Sequence, residues 1–68
     1  MNYYIIKERR KLLKITQQEL SEYSGVSLKM VKNIENGKAN PSVKTLSAIG
    51  AILGLSLELT VKKIPHNT

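Results

Sequence analysis

The chain has 68 residues and no cysteine, which leaves room for one small core and excludes disulfides and thiolate metal sites as its supports. Eleven Lys and Arg stand against five acids, a formal net charge of +6, and this balance favours a polyanionic partner, nucleic acid ahead of anionic lipid. No stretch approaches the ~18 apolar residues of a membrane span, and the first residues lack the order of a signal peptide, so the expectation is a cytoplasmic protein associated with the nucleoid.

Asn2 can cap a first helix that carries Ile6, Arg9, Arg10 and Leu13 at helical spacing. Its basic run (Lys7, Arg9, Arg10, Lys11 and Lys14, against Glu8 alone) reads first as a solvated face. Thr16-Gln17-Gln18-Glu19 is a capping box: the threonine hydroxyl accepts from the third amide of the helix while the glutamate reaches back to the cap amide. Ile15, just ahead of it, is placed to staple onto Leu20. The second helix then runs from about Gln17 to Tyr23 and stops at Ser24-Gly25, where glycine supplies left-handed backbone. Ser27 caps a third helix, Leu28 to about Asn36, with Ile34 and one or both of Met30 and Val31 turned inward. Asn36-Gly37 ends it, and Pro41 biases Asn40 to extended geometry, so residues 38–41 form a loop. Ser42 caps a fourth helix with Val43, Leu46, Ile49 and Leu53 as its inner stripe, closed by Gly54. Beyond it the period changes to two. Leu55, Leu57, Leu59 and Val61 alternate with Ser56, Glu58, Thr60 and Lys62, the pattern of a half-buried strand that Pro65 stops. The expected organisation is one DNA-binding domain over 1–54, a strand over 55–64 and a tail over 65–68.

Two short helices about a glycine turn make the unit that sets a second helix into the major groove of DNA. The runs Thr16-Gln17-Gln18-Glu19-Leu20, Gly25-Val26-Ser27, Ile34-Glu35-Asn36-Gly37-Lys38 and Asn40-Pro41-Ser42 together resemble the Cro/repressor-type, or XRE, helix-turn-helix family over about residues 5–54. The resemblance implies a mainly α, lambda-repressor-like fold of four to five helices. It also implies specific binding of double-stranded DNA by a homodimeric transcriptional repressor, with its recognition helix at about 27–36. By the same resemblance Gln17 is the helix-two residue that contacts DNA and braces the recognition helix, with Gln18 beside it on the DNA side. Ser27, Leu28, Lys29, Lys32 and Asn33 resemble the positions that face the groove. There a lysine can donate to guanine O6 and N7, Asn33 can read adenine, and Leu28 can touch a thymine methyl. Asn36, Lys38 and Asn40 resemble phosphate contacts, and Arg10 and Glu35 stand where the family often joins helix one to helix three by an ion pair. Leu28 and Met30 depart from the small or polar residues common in the family, so no base code is legible from that face.

A lone strand with an apolar face needs a partner, and a two-fold antiparallel pair with the same strand of a second copy supplies one. Centring the two-fold on Thr60 sets Glu58 opposite the partner's Lys62 and Leu59 opposite the partner's Val61. Leu55, Leu57, Glu58, Leu59, Thr60, Val61 and Lys62 are therefore the candidate dimerisation residues. The alternative is an apolar tail packed back on its own helices. A dimer would present two recognition helices about 34 Å apart to a palindromic operator. A strand after Leu53-Gly54-Leu55 also resembles the HipB-type antitoxin branch of the family, which implies a kinase-like toxin as partner and autorepression of a toxin–antitoxin operon. No enzyme, cofactor or metal is expected: the one histidine, His66, lies in the tail, aspartate is absent, and Gly37 and Gly54 stand alone rather than in a phosphate loop. The competing reading is a protein-interaction module of the same fold without specific DNA binding.

Overall fold

The structure, a computed structural model, describes residues 3–58. Among them lie four helices: α1 (Tyr4–Leu12), α2 (Gln17–Ser24), α3 (Leu28–Glu35) and α4 (Val43–Leu53). Three of the four begin on a side-chain cap. The hydroxyls of Thr16, Ser27 and Ser42 accept from the amides of Glu19, Met30 and Thr45 at 3.0, 3.1 and 3.1 Å. The Thr16 amide donates to Glu19 Oε1 at 2.8 Å, which completes the capping box. α1 differs from expectation, because its N-cap is Tyr3, which makes no side-chain cap bond, and Asn2 lies outside the described residues. Burial sets this start instead: Tyr3 packs against the core, and its carbonyl accepts from the Ile6 amide at 3.0 Å.

Each helix ends at a residue with left-handed backbone. For α2, α3 and α4 these are Gly25, Gly37 and Gly54, but α1 closes on Lys14 at φ 58°. A side chain in that region costs roughly 1 kcal/mol. It is held there by the Lys14 amide donating to Lys11 O at 3.0 Å and the Ile15 amide donating to Arg10 O at 3.2 Å.

The core takes a share from every helix. Leu20, Val31, Ile34, Ile49 and Leu53 are fully buried and Ile6 nearly so, with Ile15, Val26, Met30, Leu46 and Leu55 packed around them. Val31 is thus the inward residue of its pair, and Met30 is half-buried. Val43 does not belong to the inner stripe, being 72% exposed. It sits in the first turn of α4, ahead of the point at which the other helices cover that face, so the stripe is Leu46, Ile49, Gly50 and Leu53. The basic run of α1 is not one solvated face either. Arg10 is buried, and half-buried Arg9 donates from Nε to the Leu53 carbonyl at 3.1 Å, a cation at the negative end of α4.

After α4 the chain turns sharply across Gly50. The Leu55 amide donates to Gly50 O at 2.9 Å, and a Cβ at Gly50 would lie 2.7 Å from the Leu55 carbonyl oxygen. Only glycine admits so close a crossing. No strand occurs among the described residues, and Leu55–Glu58 lie unpaired in the single chain. The Leu55 amide, committed to capping α4, has no proton left for a ladder. The remainder of the expected strand, with Leu59, Thr60, Val61 and Lys62, lies outside the described residues, as does the tail over 65–68.

Candidate nucleic-acid interface

Gly25-Val26-Ser27 joins α2 to α3, and serine hydroxyls fix the angle of the joint. Ser21 Oγ donates to Val26 O at 2.6 Å, Ser24 Oγ donates to Leu20 O at 2.7 Å, and the Val26 amide donates to Ser24 Oγ at 3.2 Å. Ser21 and Ser24 were not among the residues singled out from sequence. Their signal is weak, since serine beside a turn glycine reads as turn chemistry without saying which carbonyl it seizes.

Buried Val31 and Ile34 fix the inner side of α3. At 100° per residue Leu28, Lys32, Asn36, Lys29 and Asn33 then fall within an arc of about 140° on the opposite side. Lys29, Lys32 and Asn36 are exposed there, while Leu28 and Asn33 are half-buried. Ser27 is exposed at the head of this face and Lys38 just past its foot, where the Lys38 amide donates to Asn33 O at 2.8 Å. Asn40 is exposed in the loop that leads to α4. Gln18 is exposed on α2, its amide donating to Glu22 Oε2 at 3.1 Å. Gln17 is engaged inward, with Nε2 donating to Glu35 Oε1 at 3.1 Å. Lys44 and Thr45 of α4, which the sequence reading passed over, line a groove with Ser27 and Met30.

Glu35 closes the inner edge of this face. Its side chain is 1% exposed and receives the fork of Arg10, Nε to Oε2 at 2.7 Å and Nη2 to Oε1 at 2.9 Å. The third guanidinium nitrogen, Nη1, donates to Ile15 O at 2.9 Å. Among the described residues no buried side-chain nitrogen or oxygen lacks a partner, the condition under which a buried pair can offset its desolvation. The hydrogen bonds that Arg10 donates to Glu35 raise its pKa above the ordinary value, against the opposing effect of burial and with the carboxylate's charge adding to it. A raised cationic pKa contributes stability that is present below the unfolded value and lost only as pH rises through the folded one, so Arg10 stays charged through neutral pH. This pair ties α1 to α3, and Gln17 adds α2. It is the one ion pair among the described residues, and it neutralises the acid of α3 internally. Lys29, Lys32 and Lys38 therefore present their charge outward with no carboxylate of the described residues within 4 Å, and the first turn of α3 carries no acid.

A short helix, a tight turn and a second helix with a cationic, amide-bearing outer face define a helix-turn-helix unit. A sequence profile of the helix-turn-helix family matches residues 6–59. The chain belongs to that family, in its Cro/repressor (XRE) form, a family of DNA-binding transcriptional regulators. It is similar to the ImmF control region 10 kDa protein of Bacillus phage phi105, 38% identical over 55 residues that make up 81% of this chain and 61% of the relative. It is equally similar to the immunity repressor protein of the same phage, 38% identical over 56 residues, 82% of this chain and 39% of the relative. An uncharacterized HTH-type transcriptional regulator of Haemophilus influenzae is 36% identical over 65 residues, 91% of this chain and 66% of the relative. The chain thus spans between about two fifths and two thirds of these relatives' own lengths. No solved structure matches it significantly. Among the described residues no helix is long and apolar enough to cross a membrane.

Proposed function

We propose that the protein is an operator-binding repressor that acts as a homodimer and lays α3 in the major groove of double-stranded DNA. The observation that carries the reading is the outward arc of α3, where two lysines and two amide side chains stand opposite a fully buried anchor, and where the helix's own acid is sequestered by Arg10. Lys29 and Lys32 are assigned to guanine edges, Asn33 to adenine and Leu28 to a thymine methyl. Ser27, Asn36, Lys38, Asn40 and Gln18 are assigned to the backbone, with Gln17 bracing α3 from behind. Repression, rather than activation, is supported by the name of the phage immunity repressor, 38% identical to this chain.

Dimerisation is assigned to the segment from Leu55 through Lys62. Its support is an apolar groove lined by Tyr3, Ile5, Leu46, Gly50, Leu55 and Leu57, beside which Tyr4, Ile5 and Leu57 are 58%, 54% and 50% exposed. An apolar edge of this kind fits a second copy of the same chain. The kinase-like toxin of the HipB-type resemblance rests on the Leu-Gly-Leu and strand pattern alone and stays outside the proposal.

The test is a titration of a duplex taken from upstream of the protein's own gene beside a scrambled duplex of equal composition, at two salt concentrations. A preference of about 10³-fold or more, with two chains per site and affinity falling with salt, is the expected result. Equal, salt-insensitive binding to both duplexes points instead to a protein-interaction module. Within a specific complex, Lys38→Ala weakens all sequences alike, whereas Lys29→Ala and Asn33→Ala shift preference at one base pair by about 1–3 kcal/mol. Uniform losses from all three would show that the reading face is misassigned.

A further inference from the structure

An open groove runs between the turn and first residues of α3 and the start of α4, and its lining includes Gly25, Ser27 and Met30 from the former and Lys44, Thr45 and Ala48 from the latter. Lys44 is exposed, makes no hydrogen bond to another described residue and has no carboxylate within 4 Å among them. It is also misplaced as a structural residue. It stands in the first turn of α4, where no acid is present and where a cation opposes the positive end of the helix dipole. Nothing among the described residues compensates for this. The Ser42 hydroxyl already caps the helix, accepting from the Thr45 amide and donating to Thr45 Oγ1 at 3.1 Å each, so Lys44 has no part in starting it. Met30, which shares the groove, lies about 130° around α3 from the middle of the outward arc, so the groove flanks the base-reading face rather than forming part of it. The opposite wall is low: Gly25 has no side chain and Ser27 only a hydroxymethyl, which lets a sugar–phosphate strand come close.

We propose that Lys44 is a second-strap contact to DNA, holding a backbone phosphate across the groove from the head of the recognition helix. The inference rests on the DNA-binding reading above and extends it to a residue of α4. An unpaired cation disfavoured where it stands is one whose counter-charge arrives with the ligand. Lysine, a mobile point charge on a flexible stem, suits a phosphate whose position varies with sequence. The contact fixes register and contributes affinity without discriminating between bases.

The experiment compares the wild type with Lys44→Gln, Lys44→Glu and, as a charge control on α1, Lys11→Gln, each titrated with the upstream and the scrambled duplex at 50 and 200 mM salt, with the melting temperature of each free protein. Lys44→Gln is expected to weaken both duplexes alike and to lower the slope of log affinity against log salt by about 0.9 per bound chain. Its deficit relative to wild type is then about 3.5-fold smaller per chain at 200 mM than at 50 mM. Lys44→Glu is expected to weaken binding further while raising the melting temperature, because an acid suits the first turn of α4; a purely structural residue cannot move the two readouts in opposite directions. A slope for Lys44→Gln equal to that of wild type, or an equal fall for Lys11→Gln, overturns the assignment. If the wild type itself shows no salt-dependent affinity, the DNA-binding reading fails, and this result is distinct from a wild type that binds normally and a Lys44 variant that matches it.

Discussion

Where α2 and α3 meet α1, the molecule is closed by hydrogen bonds: Arg10 and Gln17 converge on Glu35, Ser21 and Ser24 grip the turn, and Thr16 and Glu19 cap each other. Along the edge where α1 meets α4 the closure is mainly apolar, with the bond from Arg9 to the Leu53 carbonyl as its one side-chain hydrogen bond among the described residues, and half the surface of Tyr4, Ile5 and Leu57 remains open to solvent. The contrast shows two ways in which one small core is finished. Directional bonds define a single arrangement of two helices, whereas apolar contact defines only that surface is to be covered. The geometry that must be held to fractions of an ångström lies on the first side. The surface that tolerates a range of neighbours lies on the second.

The comparison can be broken most forcefully at Glu35. Glu35→Ala leaves the Arg10 charge buried without its partner, a loss of about 3–5 kcal/mol. That is as much as a core of this size supplies, about 3–5 kcal/mol, so helical circular dichroism at 25 °C is expected to collapse. A loss below about 1 kcal/mol would mean that the polar lock is ornamental. On the apolar side, Gly50→Ala opposes two effects. Alanine gains about 1 kcal/mol in helix propensity, but its Cβ drives into a backbone oxygen 2.7 Å away and the overpacking is the larger effect. A net loss of about 1–2 kcal/mol in urea unfolding is expected. Lys14→Gly sharpens the contrast from the other direction, relieving the left-handed strain at the joint between α1 and α2 for a gain of about 0.5–1 kcal/mol, read as a rise in melting temperature. The smallest effect on the fold belongs to Leu57→Ser, within about 0.5 kcal/mol when measured at dilution. The same change is expected to weaken self-association in sedimentation. If it leaves association untouched, the open apolar edge is not the dimer face.

The features legible in the sequence are those whose cause is local. Thr16, Ser27 and Ser42 announce their helices because a cap needs only an amide two or three residues away, and Gly25, Gly37 and Gly54 announce the ends for the same reason. Arg10 with Glu35 was reached through family resemblance and not through pattern, since 25 residues separate the partners and no periodicity links them. Val43 and Lys14 show what lies beyond local reasoning. Val43 carries the correct helical phase, yet no neighbouring helix reaches the first turn of α4 to cover it. Lys14 ends α1 where no glycine marks a stop, held by its own amide's bond to Lys11 O and by the Ile15 amide's bond to the carbonyl of Arg10, a residue that the Glu35 pair ties to α3. In the site, helical phase was enough to gather Leu28, Lys29, Lys32, Asn33 and Asn36 on one face. Phase said nothing of Lys44, because it belongs to another helix and joins the groove only in three dimensions.

The convergence on Glu35 has a thermodynamic consequence. A carboxylate that receives bonds from α1 and α2 while sitting on α3 leaves the third helix no freedom to swivel, so its ordering is complete before any ligand arrives. Association then carries no folding step within the described residues. Its heat-capacity change reports surface removed from water and distortion of the nucleic acid alone, and its forward rate is governed by encounter and long-range charge rather than by waiting for a competent conformer.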